Sequence, residues 1–325
     1  MVRRIAAGAL VIVAVGAAAL VIIRAREEGS AQGRISAAAV GGPGSAEDVV
    51  GPRINGPPPA VRTRFTVDPA KAPTRVRTRL RREPAAGLLF DVETGRVLWQ
   101  LHPRRELAIA SLTKMLTALV IAERHRPSEG VLITPEALDY EGSGVGVLPP
   151  GKRVRLGALL YGLMLVSGND AAIALAQHDA RTQKRFVERM NWRARTLGLG
   201  CSHFASPSGI VDRDNYSCPL DLATLARLNL ANPALRRIVG TRRARIPFPI
   251  EGGVLDLFNI NPFIYSHTPG ITGVKTGLTD AAGRCYVITQ RRGGRELGVV
   301  LLDSPDPIKQ VPRLLRAGFR AEGSE

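Results

Sequence analysis

ASLTKMLTALV, residues 110–120, places Ser111 and Lys114 three apart at the head of an apolar run that continues to His125. In a helix, residues three apart lie on one face about one turn apart. Leu112, Met115, Leu116 and Leu119 occupy the adjoining stripe, which should bury the helix and strip water from around Lys114. Burial penalises an ammonium and lowers the lysine pKa, so a neutral amine becomes available as a base. A serine hydroxyl is a weak nucleophile until such a base takes its proton. The chain has no G-x-S-x-G elbow and no histidine–aspartate arrangement of the hydrolase kind to act instead. Taken alone, S-x-x-K is a weak signal, and a surface serine followed by a solvated lysine is its ordinary explanation.

Two later elements give it company. Ser167-Gly168-Asn169 falls where one apolar helix is expected to end and another to begin. The glycine permits the turn, the serine can relay a proton, and the asparagine amide can bond both the lysine and a substrate carbonyl. Alone it would be a helix cap. Lys275-Thr276-Gly277, within TGVKTGLT, reads as a strand that offers positive potential and a hydroxyl donor to a carboxylate, with Gly277 letting a substrate backbone approach the strand edge.

In the order S-x-x-K, S-x-N, K-T-G, the three elements together resemble the serine penicillin-recognising enzymes. The surrounding text, ASLTKMLTALV, LVSGNDAAIALA, GVKTGLTDAAG and the hairpin DVETGRVL, is similar to one branch of them, the low-molecular-weight D-alanyl-D-alanine carboxypeptidases. The resemblance runs from about Pro84 to Phe319. It implies a penicillin-binding protein/β-lactamase-like fold and a hydrolase that needs no cofactor. Ser111 would attack the carbonyl between two D-alanines, Lys114 would accept its proton, and Ser167 and Asn169 would complete the relay. Lys275 and Thr276 would hold the terminal carboxylate beside Gly277, and the backbone N–H groups of Ser111 and Leu278 would form an oxyanion hole. Members of the family can carry an arginine soon after the last strand that helps to dock the carboxylate. Here Asp303-Ser304-Pro305-Asp306 stands there instead.

Expected partners are peptidoglycan stem peptides as substrate and β-lactam antibiotics as inhibitors, with the protein acting as a monomer. A D,D-endopeptidase stays open beside the carboxypeptidase. A class A β-lactamase would add an E-x-x-L-N segment between the second and third motifs, and the chain has none. A non-catalytic wall-binding protein is the reading from another class, and it leaves the pairing of Ser111 with Lys114 without a chemical purpose.

Around these motifs the pattern predicts an α/β (α+β) fold, an antiparallel sheet flanked by helices with a helical subdomain inserted. AGLLFD and RVLWQL form a first hairpin turned at Gly95. Helices are expected over 110–125, 156–175 and 183–197, and from Pro219, with Ser217 before it, to Leu228. Strands are expected at Gly273–Thr276, Arg284–Arg291 and Glu296–Leu302, the last two turned by Gly293-Gly294, followed by a helix over Pro307–Phe319. The catalytic domain thus occupies 84–325. Residues 26–83, rich in Gly, Pro, Ala and Arg, read as a flexible tether. Within it, Arg75–Arg82 could meet anionic polymers or lipid head groups, or simply be solvated.

Ile5 to Ile23 is an uninterrupted apolar or small run flanked by Arg3, Arg4, Arg24 and Arg26. As a helix it would rise about 28 Å, close to the hydrocarbon thickness of a bilayer. Residues 1–25 therefore read as a transmembrane signal anchor or, because Ala17-Ala18-Ala19 suits a signal peptidase, as a cleaved signal peptide. The positive flanks set no orientation, and the wall chemistry requires the domain to lie outside the cytoplasm.

The 325 residues carry a formal charge of +17, 45% hydrophobic and 5% aromatic residues. That core content excludes a disordered chain. The scarcity of aromatics beside basic runs argues against a nucleic-acid partner and leaves attraction to an anionic surface. Cys201 and Cys218 bracket a polar, loop-like stretch and either form a disulfide or stay free, while Cys285 reads as a small core residue. No cysteine spacing suits a metal. His102, His125, His178, His203 and His267 read as scattered surface or loop residues with no ligand pair. Gly142-Ser143-Gly144-Val145-Gly146 is expected to shape the rim of the cleft rather than bind phosphate.

Overall fold

A computed structural model of the chain describes residues 64–67, 76–266 and 268–323. The apolar run 5–23, most of the tether and His267 lie outside the described residues. No described helix is long and apolar enough to cross a membrane.

In chain order the elements begin with β1 Ala86–Asp91, β2 Val97–Leu101 and β3 Leu107–Ala108, then a 3-10 turn over Ala110–Thr113 that runs into α1 Lys114–Arg124. Next come β4 Gly130–Leu132, α2 Pro135–Leu138, β5 Arg153–Arg155, α3 Leu156–Leu165, α4 Asn169–Ala180, α5 Gln183–Thr196 and β6 Tyr216–Ser217. The chain continues with α6 Pro219–Ala231, α7 Pro233–Val239, β7 Arg243–Pro247 and β8 Val254–Phe258. It closes with β9 Ile271–Thr279, β10 Gly283–Arg292, β11 Arg295–Leu302 and α8 Pro307–Ala321.

Five strands form one sheet in the order β2-β1-β11-β10-β9, with antiparallel neighbours throughout. The first and last strands in sequence are neighbours in the middle of the sheet, and the helices α1–α7 are inserted between the N-terminal pair β1–β2 and the C-terminal strands β9–β11, as strands at both sequence ends with helices between implied. Strand side chains alternate between faces. On β1, Leu88 and Phe90 join the core shared with the helical insertion, whereas Leu89 joins a second core with Val311, Leu314, Leu315 and Phe319 of α8. Val300 and Leu302 against Leu297, Val299 and Leu301 divide β11 the same way. Helices thus cover both faces, which is why the strands are continuously apolar instead of alternating with polar residues. Gly293 and Gly294, with φ of 54° and 75°, make the β10–β11 turn expected of them.

Several local expectations are corrected. Residues 110–113 are a tight 3-10 turn before α1, and Ala110 itself sits at φ 47°. The helical stretch read over 156–175 is two helices, with the break falling at 166–168 where Ser167-Gly168-Asn169 was expected to separate them, and the second runs on to Ala180. α6 is entered through Cys218, with Pro219 in its first turn, and Ser217 belongs to β6. The β7–β8 hairpin was not anticipated.

Parts of the stretch read as tether lie against the domain. Val67, Val76 and Leu80 are buried, Val76 N donates to Leu98 O of β2 at 3.0 Å, and Val67 N donates to Thr224 Oγ1 of α6. Arg227 of α6 is buried and donates to three backbone carbonyls, those of Phe65, Val92 and Glu93. The buried guanidinium is tolerable here because its fork meets three carbonyls, with the Asp91 charge nearby opposing the cost of burial.

The expectation of scattered histidines is also corrected. α1 and α4 pack side by side, and their C-terminal ends bring His125 and His178 together with ring centroids 4.9 Å apart. Both rings meet the same oxygen of Glu129, which the Arg126 N–H and then the two imidazoles hold at a pKa of about 2.

Candidate active site

Ser111 projects from the 3-10 turn and Lys114 opens α1, fully buried beneath it. Lys114 Nζ lies 2.9 Å from Ser111 Oγ, 2.7 Å from Asn169 Oδ1 and 2.7 Å from Ser208 O. Two of these partners, an amide oxygen and a carbonyl, can only accept. A neutral amine has two N–H groups and one lone pair, so once both acceptors are served the lone pair is left for the serine hydroxyl. Burial, and then the charge of Lys275, push the Lys114 pKa well below its ordinary value, against a smaller opposing pull from Asp170. Geometry and charge both favour a base poised on Ser111 Oγ.

Asn169, the first residue of α4, is fixed at both ends. Its Oδ1 takes Lys114, and its Nδ2 donates to Glu141 O. One Nδ2 hydrogen therefore goes to the protein rather than to a substrate, and only the second remains for a ligand. Ser167 is buried at φ 61°, and its Oγ has no hydrogen-bond partner among the described residues. The structure joins Ser111, Lys114 and Asn169 directly and leaves Ser167 as a neighbour with an unused hydroxyl. Its carbonyl accepts from Ser143 Oγ, and Ser143 O in turn accepts from Asn169 N, so the 142–146 loop closes over the start of α4 as expected of a rim.

Lys275, Thr276 and Gly277 lie on β9, the edge strand, paired to β10 on one side only. Its other side faces the turn that carries Ser111. A Cβ on Gly277 would stand 3.0 Å from both Ser111 N and Ile109 O and 3.2 Å from Ala110 Cβ. Only a glycine allows strand and turn to approach this closely. Lys275 is buried, donates to Thr276 O at 2.8 Å, and is lowered by burial to a pKa of about 7. Leu278 stands 58% exposed at the mouth.

Three contributors escaped the sequence reading. Ser208 offers a backbone carbonyl, which no side-chain motif announces. Asp212 accepts from Thr279 Oγ1 at 2.7 Å and ties its loop to the end of β9. Asp170, directly after Asn169, accepts from Val145 N, Gly146 N and Ala171 N and pins the rim loop, although burial raises its pKa overall. The loop carrying Ser208 and Asp212 is closed at its base by a Cys201–Cys218 disulfide, one of the two states left open for that pair. Cys285 is buried on β10, paired with Gly277 of β9, and desolvation pushes its thiol up to about 12, as suits an inert core residue. In the stretch where an arginine was sought, Arg284 of β10 donates to Pro305 O at 2.9 Å.

The chain as a whole is similar to known proteins. The family model described as D-alanyl-D-alanine carboxypeptidase matches residues 76–306. The chain is 30% identical over 258 residues to the D-alanyl-D-alanine carboxypeptidase DacF of Bacillus subtilis, covering 77% of this chain and 66% of that relative, so it spans just under two thirds of that protein. A D-alanyl-D-alanine endopeptidase of Pseudomonas aeruginosa is 31% identical over 243 residues, 72% of this chain and 76% of the relative. A mutant form of a Streptomyces DD-transpeptidase superposes with a TM-score of 0.69 at 31% identity, over 74% of this chain and all of that one.

Proposed function

This chain belongs to the D-alanyl-D-alanine carboxypeptidase family, a class of serine hydrolases, and on that premise we propose that it removes the terminal D-alanine from peptidoglycan stem peptides by way of an acyl-enzyme on Ser111. The observation that carries the reading is the placement of Lys114 Nζ, which is buried, low in pKa and 2.9 Å from Ser111 Oγ.

Lys114 takes the Ser111 proton as Oγ forms a bond to the carbonyl carbon between the two D-alanines, and the carbonyl π pair moves to oxygen. The backbone N–H groups of Ser111 and Leu278 would receive that oxyanion, a role supported by the close approach of Gly277, next to Leu278, to Ser111 N. Collapse breaks the C–N bond, and the leaving amine takes the proton held at Lys114, with the Ser167 hydroxyl, which has no partner among the described residues, as the relay. Lys275 and Thr276 hold the terminal carboxylate. Water then attacks the ester as Lys114 Nζ accepts its proton, and collapse breaks the bond from the acyl carbon to Oγ, which takes that proton back and regenerates Ser111.

A β-lactam carries a carboxylate and a strained amide and would follow the same path as far as the acyl-enzyme. The apolar run 5–23 supports anchoring in the cell membrane with residues 84–325 outside the cytoplasm, since stem peptides lie there. The relative named as an endopeptidase favours cross-link cleavage as the second reading.

Fluorescent penicillin tests the assignment. The native chain should label covalently and Ser111→Ala should not, and absence of label on the native chain would refute it. Release of the label within seconds would favour a β-lactamase. Mass spectrometry of products from a pentapeptide and from a cross-linked dimer separates carboxypeptidase from endopeptidase.

A further inference from the structure

We propose that His125, Glu129 and His178 form a binding site for a divalent transition metal of the zinc class, joining the C-terminal ends of α1 and α4. Ligand atoms from the three side chains, one each, lie within 4.8 Å of one another. His125 Nδ1 is 2.9 Å and His178 Nε2 is 3.0 Å from the same Glu129 oxygen, Oε2. Tetrahedral ligands at zinc bond lengths stand about 3.3 Å apart, so a small outward shift of each seats an ion.

His125 Nε2 lies 2.9 Å from Asp179 Oδ1, so both nitrogens of that ring face carboxylate oxygens. The surroundings are those of a metal ligand. Asp179 has a fully buried side chain, is held by Arg124 Nε at 2.7 Å and Arg189 Nη1 at 2.6 Å, and fixes the His125 ring through the nitrogen remote from Glu129. Carboxylates placed behind ligating histidines in this way orient the ring and raise its basicity. The other Glu129 oxygen is tied down by Arg126 N at 2.6 Å, leaving Oε2 to the imidazoles. His125 caps the C-terminus of α1 and His178 lies in the last turn of α4, where the helix dipoles favour a cation. Side-chain exposures of 16%, 35% and 19% leave room for water as the fourth ligand.

Lys114 and Asn169 open the same two helices that His125 and His178 close. The site therefore sits about 17 Å from the reaction centre and would cross-brace the helices rather than take part in chemistry.

The test is a titration of metal-free full chain with Co²⁺, read by visible absorption, and with Zn²⁺, read by melting temperature, for the native chain and for His178→Asn, Glu129→Gln and His203→Ala. The native chain and His203→Ala should develop the bands of four-coordinate cobalt and gain several degrees in Tm with zinc. His178→Asn and Glu129→Gln should bind at least tenfold more weakly while keeping native circular dichroism and penicillin labelling. Equal metal response in all four proteins, or no response in the native chain, would overturn the proposal and leave the cluster as an imidazolium–carboxylate network.

Discussion

Gly277→Ala inserts one methyl group where β9 meets the nucleophile's turn. The new carbon would lie 3.0 Å from Ser111 N and Ile109 O, about 0.4 Å inside ordinary contact at 3.4 Å. Two of the three nearest atoms are backbone and the third is the short Ala110 Cβ, so no flexible side chain can move aside. Strand and turn must separate by a few tenths of an ångström. A misplacement of 1 Å at reacting groups costs about a hundredfold in rate, so this one should cost about tenfold in acylation. Overpacking at one edge should cost only about 1 kcal/mol of stability. The assay is the second-order rate of covalent labelling by fluorescent penicillin, paired with a thermal melt. Gly200→Ala serves as the control, because a Cβ there meets nothing within 4 Å. An unchanged labelling rate in Gly277→Ala, or an equal loss in Gly200→Ala, would refute the view that the approach of β9 to Ser111 builds the oxyanion site.

The pH profile of kcat/KM for a carboxylate-bearing peptide should be a bell. It rises as Lys114 loses its proton and falls as Lys275, with a pKa of about 7, loses the charge that holds the carboxylate; a flat profile from pH 6 to 9 would contradict both roles. Because burial places Lys275 below its ordinary 10.5, the unfolded chain holds a proton between about pH 7 and 10.5 that the native state lacks, so this group makes stability rise with pH across that window. Lys275→Met should flatten that part of the urea-melt pH dependence. Arg227→Met leaves three carbonyls without their donor and should cost about 3 kcal/mol, with faster proteolysis near residues 64–67. Replacing Cys201 and Cys218 together by alanine opens a loop spanning 17 positions and should cost about 3 kcal/mol. Labelling should slow as well, since Ser208 O loses its constraint on Lys114.

What the sequence revealed and what it hid divide along physical lines. Chemistry written in side chains at short spacing was legible: Ser111 with Lys114, Ser167 near Asn169, and the Lys275-Thr276-Gly277 strand. Strand patterns at both ends of the domain with helical patterns between them also carried the insertion topology. Contacts made by backbone atoms were not legible, and Ser208 O is the clearest case, since any residue supplies a carbonyl. Nor was proximity created by helix packing. His125 and His178 stand 53 positions apart, and only the side-by-side packing of α1 and α4 makes them a pair. The β7–β8 hairpin escaped because its first strand, RARIP, alternates arginine with short apolar residues and ends in proline. The 3-10 turn before α1 escaped because local pattern cannot tell a tight turn from a helix start when Ala110 alone leaves right-handed geometry.

Val76 N bonds to β2, and β2 and β9 form opposite edges of the sheet. In mechanical terms, a pull on the chain ahead of Arg64 is taken up first by α6, through Arg227 and Thr224, and then sheared into β2. Through the sheet, three more strands, β1, β11 and β10, separate β2 from the edge that faces Ser111. The route through α6 is shorter: α6 packs on α1, and its Asn229 Nδ2 donates to Met115 O, the residue after Lys114, so tension on the N-terminal side is divided between the far edge of the sheet and the helix that carries the base.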